Sequence, residues 1–105
     1  MKRLLLLLLL LGSLHTLSAQ STDPDDYGIK SRKAVKIYLE GRQAMTYRDY
    51  RAAAALFNEA LDKAPKFGAA LLGKGNALYY MNQRDEAMPL LEKGLEYSPD
   101  EHPNA

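Results

Sequence analysis

Eight residues from Gly68 to Gly75 (GAALLGKG) come within one side chain of a phosphate-binding loop. Such a loop follows a strand, cradles phosphate with backbone N–H groups and needs a Ser or Thr after its lysine to meet Mg²⁺. Gly75 stands at that place, no strand precedes it, and Ala69 to Leu72 reads as buried helix, so nucleotide chemistry is rejected. The histidines are His15 and His102. The first lies in a segment expected to be removed, and the second sits in the tail EHPNA, where an imidazole is ordinarily solvated. Ser98, Asp100 and His102 are too close together in a chain end to hold the fixed geometry of a triad. Carboxylate pairs occur at Asp25–Asp26, Asp85–Glu86 and Asp100–Glu101, and the middle pair is explained by the preference of acids for a helix N-terminus. Cysteine is absent, which removes disulfides, thiolate zinc sites, iron–sulfur clusters, thiol nucleophiles and lipid-modified cysteine. The sequence therefore predicts no catalytic residues, no cofactor and no metal site.

The elements that position the remaining residues begin after an N-terminal segment of distinct composition. Lys2 and Arg3 are followed by eight leucines, Leu4 to Leu11, and small residues return at Ser18 and Ala19. A charged start, a short apolar run and a small residue at the cut describe a secretory signal peptide, residues 1–19. Eight leucines fall well short of the ~20 apolar residues of a spanning helix, which disfavours the alternative of an uncleaved anchor. Cleavage before Gln20 predicts an exported protein, periplasmic or extracellular, with no stable membrane insertion. Losing Lys2 and Arg3 turns 14 basic residues against 13 acidic into 12 against 13, from +1 to −1. That balance argues against nucleic acid, whose binding rests on phosphate neutralisation.

Residues 20–30 open polar and acidic (QSTDPDDYG) and predict a flexible leader. From Ser31 onward Ala, Leu, Lys, Glu, Tyr and Met dominate and β-branched residues nearly vanish, which predicts an all-α domain over 31–99 and a short tail over 100–105. Four helices are expected, at about Ser31–Thr46, Asp49–Ala64, Phe67–Met81 and Asp85–Tyr97. Pro65 and Pro99 stop the second and fourth, and Pro89 falls in or just past the first turn of the fourth. Connections of two to four residues make successive helices antiparallel.

Shifted by 34 positions, the sequence aligns with itself: Gly41 on Gly75, Ala53 on Ala87, Leu61 on Leu95 and Pro65 on Pro99. Phe57 pairs with Leu91 and Ala60 with Gly94. Small residues let paired helices approach, and larger ones fill the seam between them. In spacing and in these residues the chain resembles the tetratricopeptide repeat family over two units, about 34–67 and 68–101. It departs at Glu40 and Lys74, where leucine is usual, and at Arg84, which replaces the tyrosine represented by Tyr50. The resemblance implies two tandem helical hairpins in a short α-solenoid; an unrelated antiparallel bundle is the alternative.

The resemblance further implies that the first helix of each repeat lines a groove for a peptide or partner helix. The groove-facing places are Val35, Tyr38, Leu39, Arg42, Met45 and Thr46, then Ala69, Leu72, Gly73, Asn76, Tyr79 and Tyr80. Helical spacing also sets Tyr38, Arg42 and Met45 on one stripe and Leu72, Asn76, Tyr79 and Tyr80 on another. Tyr38 and Tyr79 could equally pack between helices. A carboxylate clamp would need more Lys, Arg and Asn than Arg42 and Asn76 provide. From Tyr27 to Pro65, the run YGIKSRKAVKIYLEGRQAM followed by the repeat is similar to the start of the repeat region in exported OmpA-like envelope proteins of Bacteroidetes. Two functions follow as expectations: an exported interaction module or adaptor in the cell envelope, or a subunit that self-associates through its stack ends. A fragment of a larger envelope protein is a further alternative. The charges are also sorted, Lys30–Arg51 strongly basic and Asp85–Glu101 strongly acidic, which would favour head-to-tail contact or a partner of matching charge; ordinary solvated faces are the alternative.

Overall fold

The computed structural model describes residues 27–97. The segment read as a signal peptide, the leader up to Asp26, Pro99 and the tail with His102 lie outside the described residues. Within them the chain forms four helices and no strand: α1 (Arg32–Thr46), α2 (Tyr50–Lys63), α3 (Gly68–Tyr80) and α4 (Arg84–Tyr97). Each begins and ends within one residue of its expected place, because the stop and start signals are local. The Ser31 hydroxyl accepts the Ala34 N–H at 3.1 Å, and the Asp49 carboxylate accepts the Ala52 N–H at 3.2 Å. Both are N-caps that satisfy donors left open by the first turn. Ala64 turns extended ahead of Pro65, as the proline ring requires of the residue before it. Pro89 is the sixth residue of α4 and lies on its exposed side.

The 34-residue period reappears in the backbone. Arg48 and Asn82 both take the left-handed conformation, at φ 60 and 63°. Beside them the Asp49 N–H donates to the Ala44 carbonyl and the Gln83 N–H to the Leu78 carbonyl, each at 2.9 Å. This six-to-one bond with a left-handed residue closes a helix and reverses the chain. Both hairpins, α1–α2 and α3–α4, thus turn by the same device.

Packing runs α1 on α2, α2 on α3 and α3 on α4, with a lighter contact between α1 and α3. α3 is therefore flanked on two sides and is apolar around most of its circumference, burying Ala69, Ala70, Leu71, Ala77 and Leu78. Among the described helices α4 packs mainly on α3, and it buries only Ala87 and Gly94. Ala53, Ala60 and Ala87 are fully enclosed.

Phe57 is the keystone of the core. It is fully buried on α2, and its ring lies against two helices at once. A Cβ placed on Gly41 of α1 would sit 2.7 Å from the ring, and one on Gly73 of α3 would sit 2.6 Å away. Only glycine leaves room for the ring at both. The second repeat repeats the first half of this arrangement, with Leu91 against Gly75. Phe67, expected only to open α3, is also nearly completely buried and contacts Tyr38 with ring centroids 4.9 Å apart.

Tyr27, Ile29 and Val35 differ from their expected places. Tyr27 and Ile29 belong to the segment read as leader, yet they pack against the core. The Tyr27 ring meets Tyr38 edge-on at 5.6 Å and Phe67 at 5.9 Å. Val35, expected in the groove, is fully buried in the core. It lies one helical turn before Tyr38, inside the apolar cluster, and the stripe that reaches the opening starts only at Tyr38.

Candidate functional site

A concavity of about 410 Å³ opens between α1 and α3. α1 contributes Tyr38, Arg42, Met45 and Thr46, at intervals of four, three and one, which is a single helical stripe. α3 contributes Ala69, Leu72, Gly73 and Asn76, a second stripe. Phe57 of α2 closes the floor. Gly73 matters twice here, because the missing side chain both admits the Phe57 ring and leaves the space open.

The site divides into an apolar bed and a polar rim. Met45 and Leu72 are half-buried, and Tyr38 is only 8% exposed because Tyr27, Phe57 and Phe67 surround its ring. Tyr38 packs between helices and also borders the concavity. Arg42, Thr46 and Asn76 are exposed at the rim. The Arg42 guanidinium lies 6.0 Å above the Tyr38 ring, a cation–π placement that holds a positive charge at the mouth. The Thr46 hydroxyl donates to the Arg42 carbonyl at 3.2 Å. Asn76 offers a donor and an acceptor on one side chain, the pair needed by a peptide unit.

Tyr79 and Tyr80 do not line this concavity. Tyr80 stacks on Tyr50 of α2, 5.0 Å between centroids and 16° between planes, and Tyr79 meets Tyr80 edge-on at 6.1 Å. Arg84 of α4 lies 5.0 Å over the Tyr79 ring. The first residues of α2 and α4 thus draw both tyrosines past the end of the groove. Leu39 packs toward the core. Sequence reasoning missed Phe57 as the floor; its pairing with two glycines on different helices is visible only once the repeats are folded.

Among the described residues no group of three His, Asp or Glu is placed to hold a metal ion, and no helix is long and apolar enough to cross a membrane. The geometry suits recognition of an elongated, partly apolar chain. Compared with known proteins, residues 44–105, more than half of the chain, match the tetratricopeptide repeat family model. No curated protein and no solved structure matches.

Proposed function

The chain belongs to the tetratricopeptide repeat family, and from that premise we propose that it is an exported, non-catalytic adaptor of the cell envelope that holds a partner's peptide segment in the α1–α3 groove. Repeats of this family mediate binding to protein partners. The observation that carries the reading is the concavity itself: two helical stripes over an aromatic floor, with Arg42 and Asn76 exposed at the rim. An extended segment fits this chemistry when it sets an apolar side chain on Met45 and Leu72, a backbone amide on Asn76 and an acidic side chain near Arg42.

A display library of random peptides, selected on the mature protein, tests the groove. Selected peptides should be acidic and apolar, and Arg42→Glu and Asn76→Ala should each weaken them by about tenfold or more, as loss of a charge-assisted or amide hydrogen bond does. Peptides indifferent to both changes would move binding elsewhere on the surface.

Export rests on the sequence alone, on Lys2, Arg3, the leucine run and the Leu17-Ser18-Ala19 ending. Intact-mass measurement of the protein from its own cell should give a chain starting at Gln20. A product that retains residues 1–19 contradicts cleavage and returns the anchor.

A further inference from the structure

A second surface lies on α4, at the opposite side of the stack from α1. Met88 and Leu95 are seven residues apart on one stripe and are 50% and 45% exposed. Their counterparts 34 positions earlier, Ala54 and Leu61 on α2, belong to or pack against the core, and α3 is the helix that lies against α2 on its far side. Leu91, the counterpart of Phe57, meets Gly75 of α3 on the inner side. The same apolar pattern that seats a helix on α2 is therefore present on α4 without a described helix over it.

We propose that this face of α4 docks an α-helix of a partner protein, one presenting small apolar residues seven apart and basic residues along its flanks. The internal precedent supplies the first requirement, since α3, which packs against α2, carries Ala70 and Ala77 seven apart, both fully buried in the core cluster that includes Ala54. The second comes from charge. Asp85, Glu92 and Glu96 are exposed beside Met88 and Leu95, and α4 carries four acids against Arg84 and Lys93. Complementary flanks would steer and orient the incoming helix. A second copy of this chain is a poorer occupant. Although α1 is basic, the α1 residues equivalent to Ala70 and Ala77 are Lys36 and Gln43, so docking α1 there would bury a lysine and an amide. The surface is separate from the groove and does not depend on its reading.

The probe is a library of helical peptides with alanine at two positions seven apart and flanking positions varied between lysine and glutamate. Lysine-flanked members should be selected. Their binding should fall about tenfold or more in the Met88→Gln/Leu95→Gln protein, weaken with salt, and be unchanged by Arg42→Glu. Should the double variant lose its helical signal, Glu92→Lys/Glu96→Lys serves instead, because both residues are exposed; it should shift selection toward glutamate flanks. Selection of glutamate flanks by the unaltered protein, or binding indifferent to all α4 changes, would overturn the proposal. So would sedimentation showing a dimer abolished by Met88→Gln/Leu95→Gln, which would make a second copy the occupant, or strong protection of Met88 and Leu95 in the free monomer.

Discussion

Phe57→Ala is expected to abolish cooperative unfolding of this protein. Truncating a fully buried phenylalanine costs about 3–5 kcal/mol through lost transfer energy and the cavity left behind. Small domains lie at the low end of the roughly 5–15 kcal/mol that natural domains possess. The loss here falls on three helices together, because the ring touches Gly41 of α1 and Gly73 of α3 from its seat on α2. Neither glycine has a side chain with which to fill the vacancy. Urea titration followed by helical circular dichroism should show a broad, early transition in place of a sigmoid. A loss below about 1.5 kcal/mol, the range of well-tolerated core exchanges, would mean that the ring is not wedged as described.

The second large effect is a coupling between Gly73 and Phe57. Gly→Ala inside a helix ordinarily stabilises by about 1 kcal/mol. At Gly73 the new methyl would lie 2.6 to 2.8 Å from three carbons of the Phe57 ring. That ring is enclosed and also abuts Gly41, which limits how far it can shift away. Overpacking of about 1–3 kcal/mol should outweigh the helical gain, leaving Gly73→Ala less stable than the parent. Shortening the ring relieves the clash. In a double-mutant cycle, Phe57→Leu should therefore cost less in the Gly73→Ala background than in the parent, by about 0.5–3 kcal/mol. Strictly additive effects would show that the glycine is present for some reason other than this contact.

How far the fold was legible depended on whether its determinants were local. Ser31, Asp49 and Pro65 act on their own neighbours, and the helix ends agree with them to a residue. The glycines and alanines at 34-residue spacing announced which helices pair. Contacts between distant segments were not legible. Tyr27 follows three acids and a proline within five residues, and nothing local marks it as an anchor; only the meeting of Tyr38 and Phe67 makes a place for its ring. Val35 and Tyr38 are both apolar and three residues apart, so periodicity could not decide which one faces the opening. The way the other helices close over α1 decides it. Tyr80 had the right spacing for the groove but stacks on Tyr50, thirty residues earlier. Of the two stripes that spacing suggested, Tyr38, Arg42 and Met45 of α1 and Leu72 and Asn76 of α3 border one concavity, whereas Tyr79 and Tyr80 lie outside it.

The central claim, that the face between α1 and α3 is the binding surface, is tested most directly by nuclear magnetic resonance. Backbone amide shifts of the isotope-labelled mature protein would be followed as a library-selected acidic peptide is added. The expected result is a set of perturbations gathered on Tyr38, Arg42, Met45 and Thr46 of α1 and on Ala69, Leu72, Gly73 and Asn76 of α3, with the exposed sides of α2 and α4 unmoved. Perturbations confined to α4, or scattered with no gathering on α1 and α3, would contradict it.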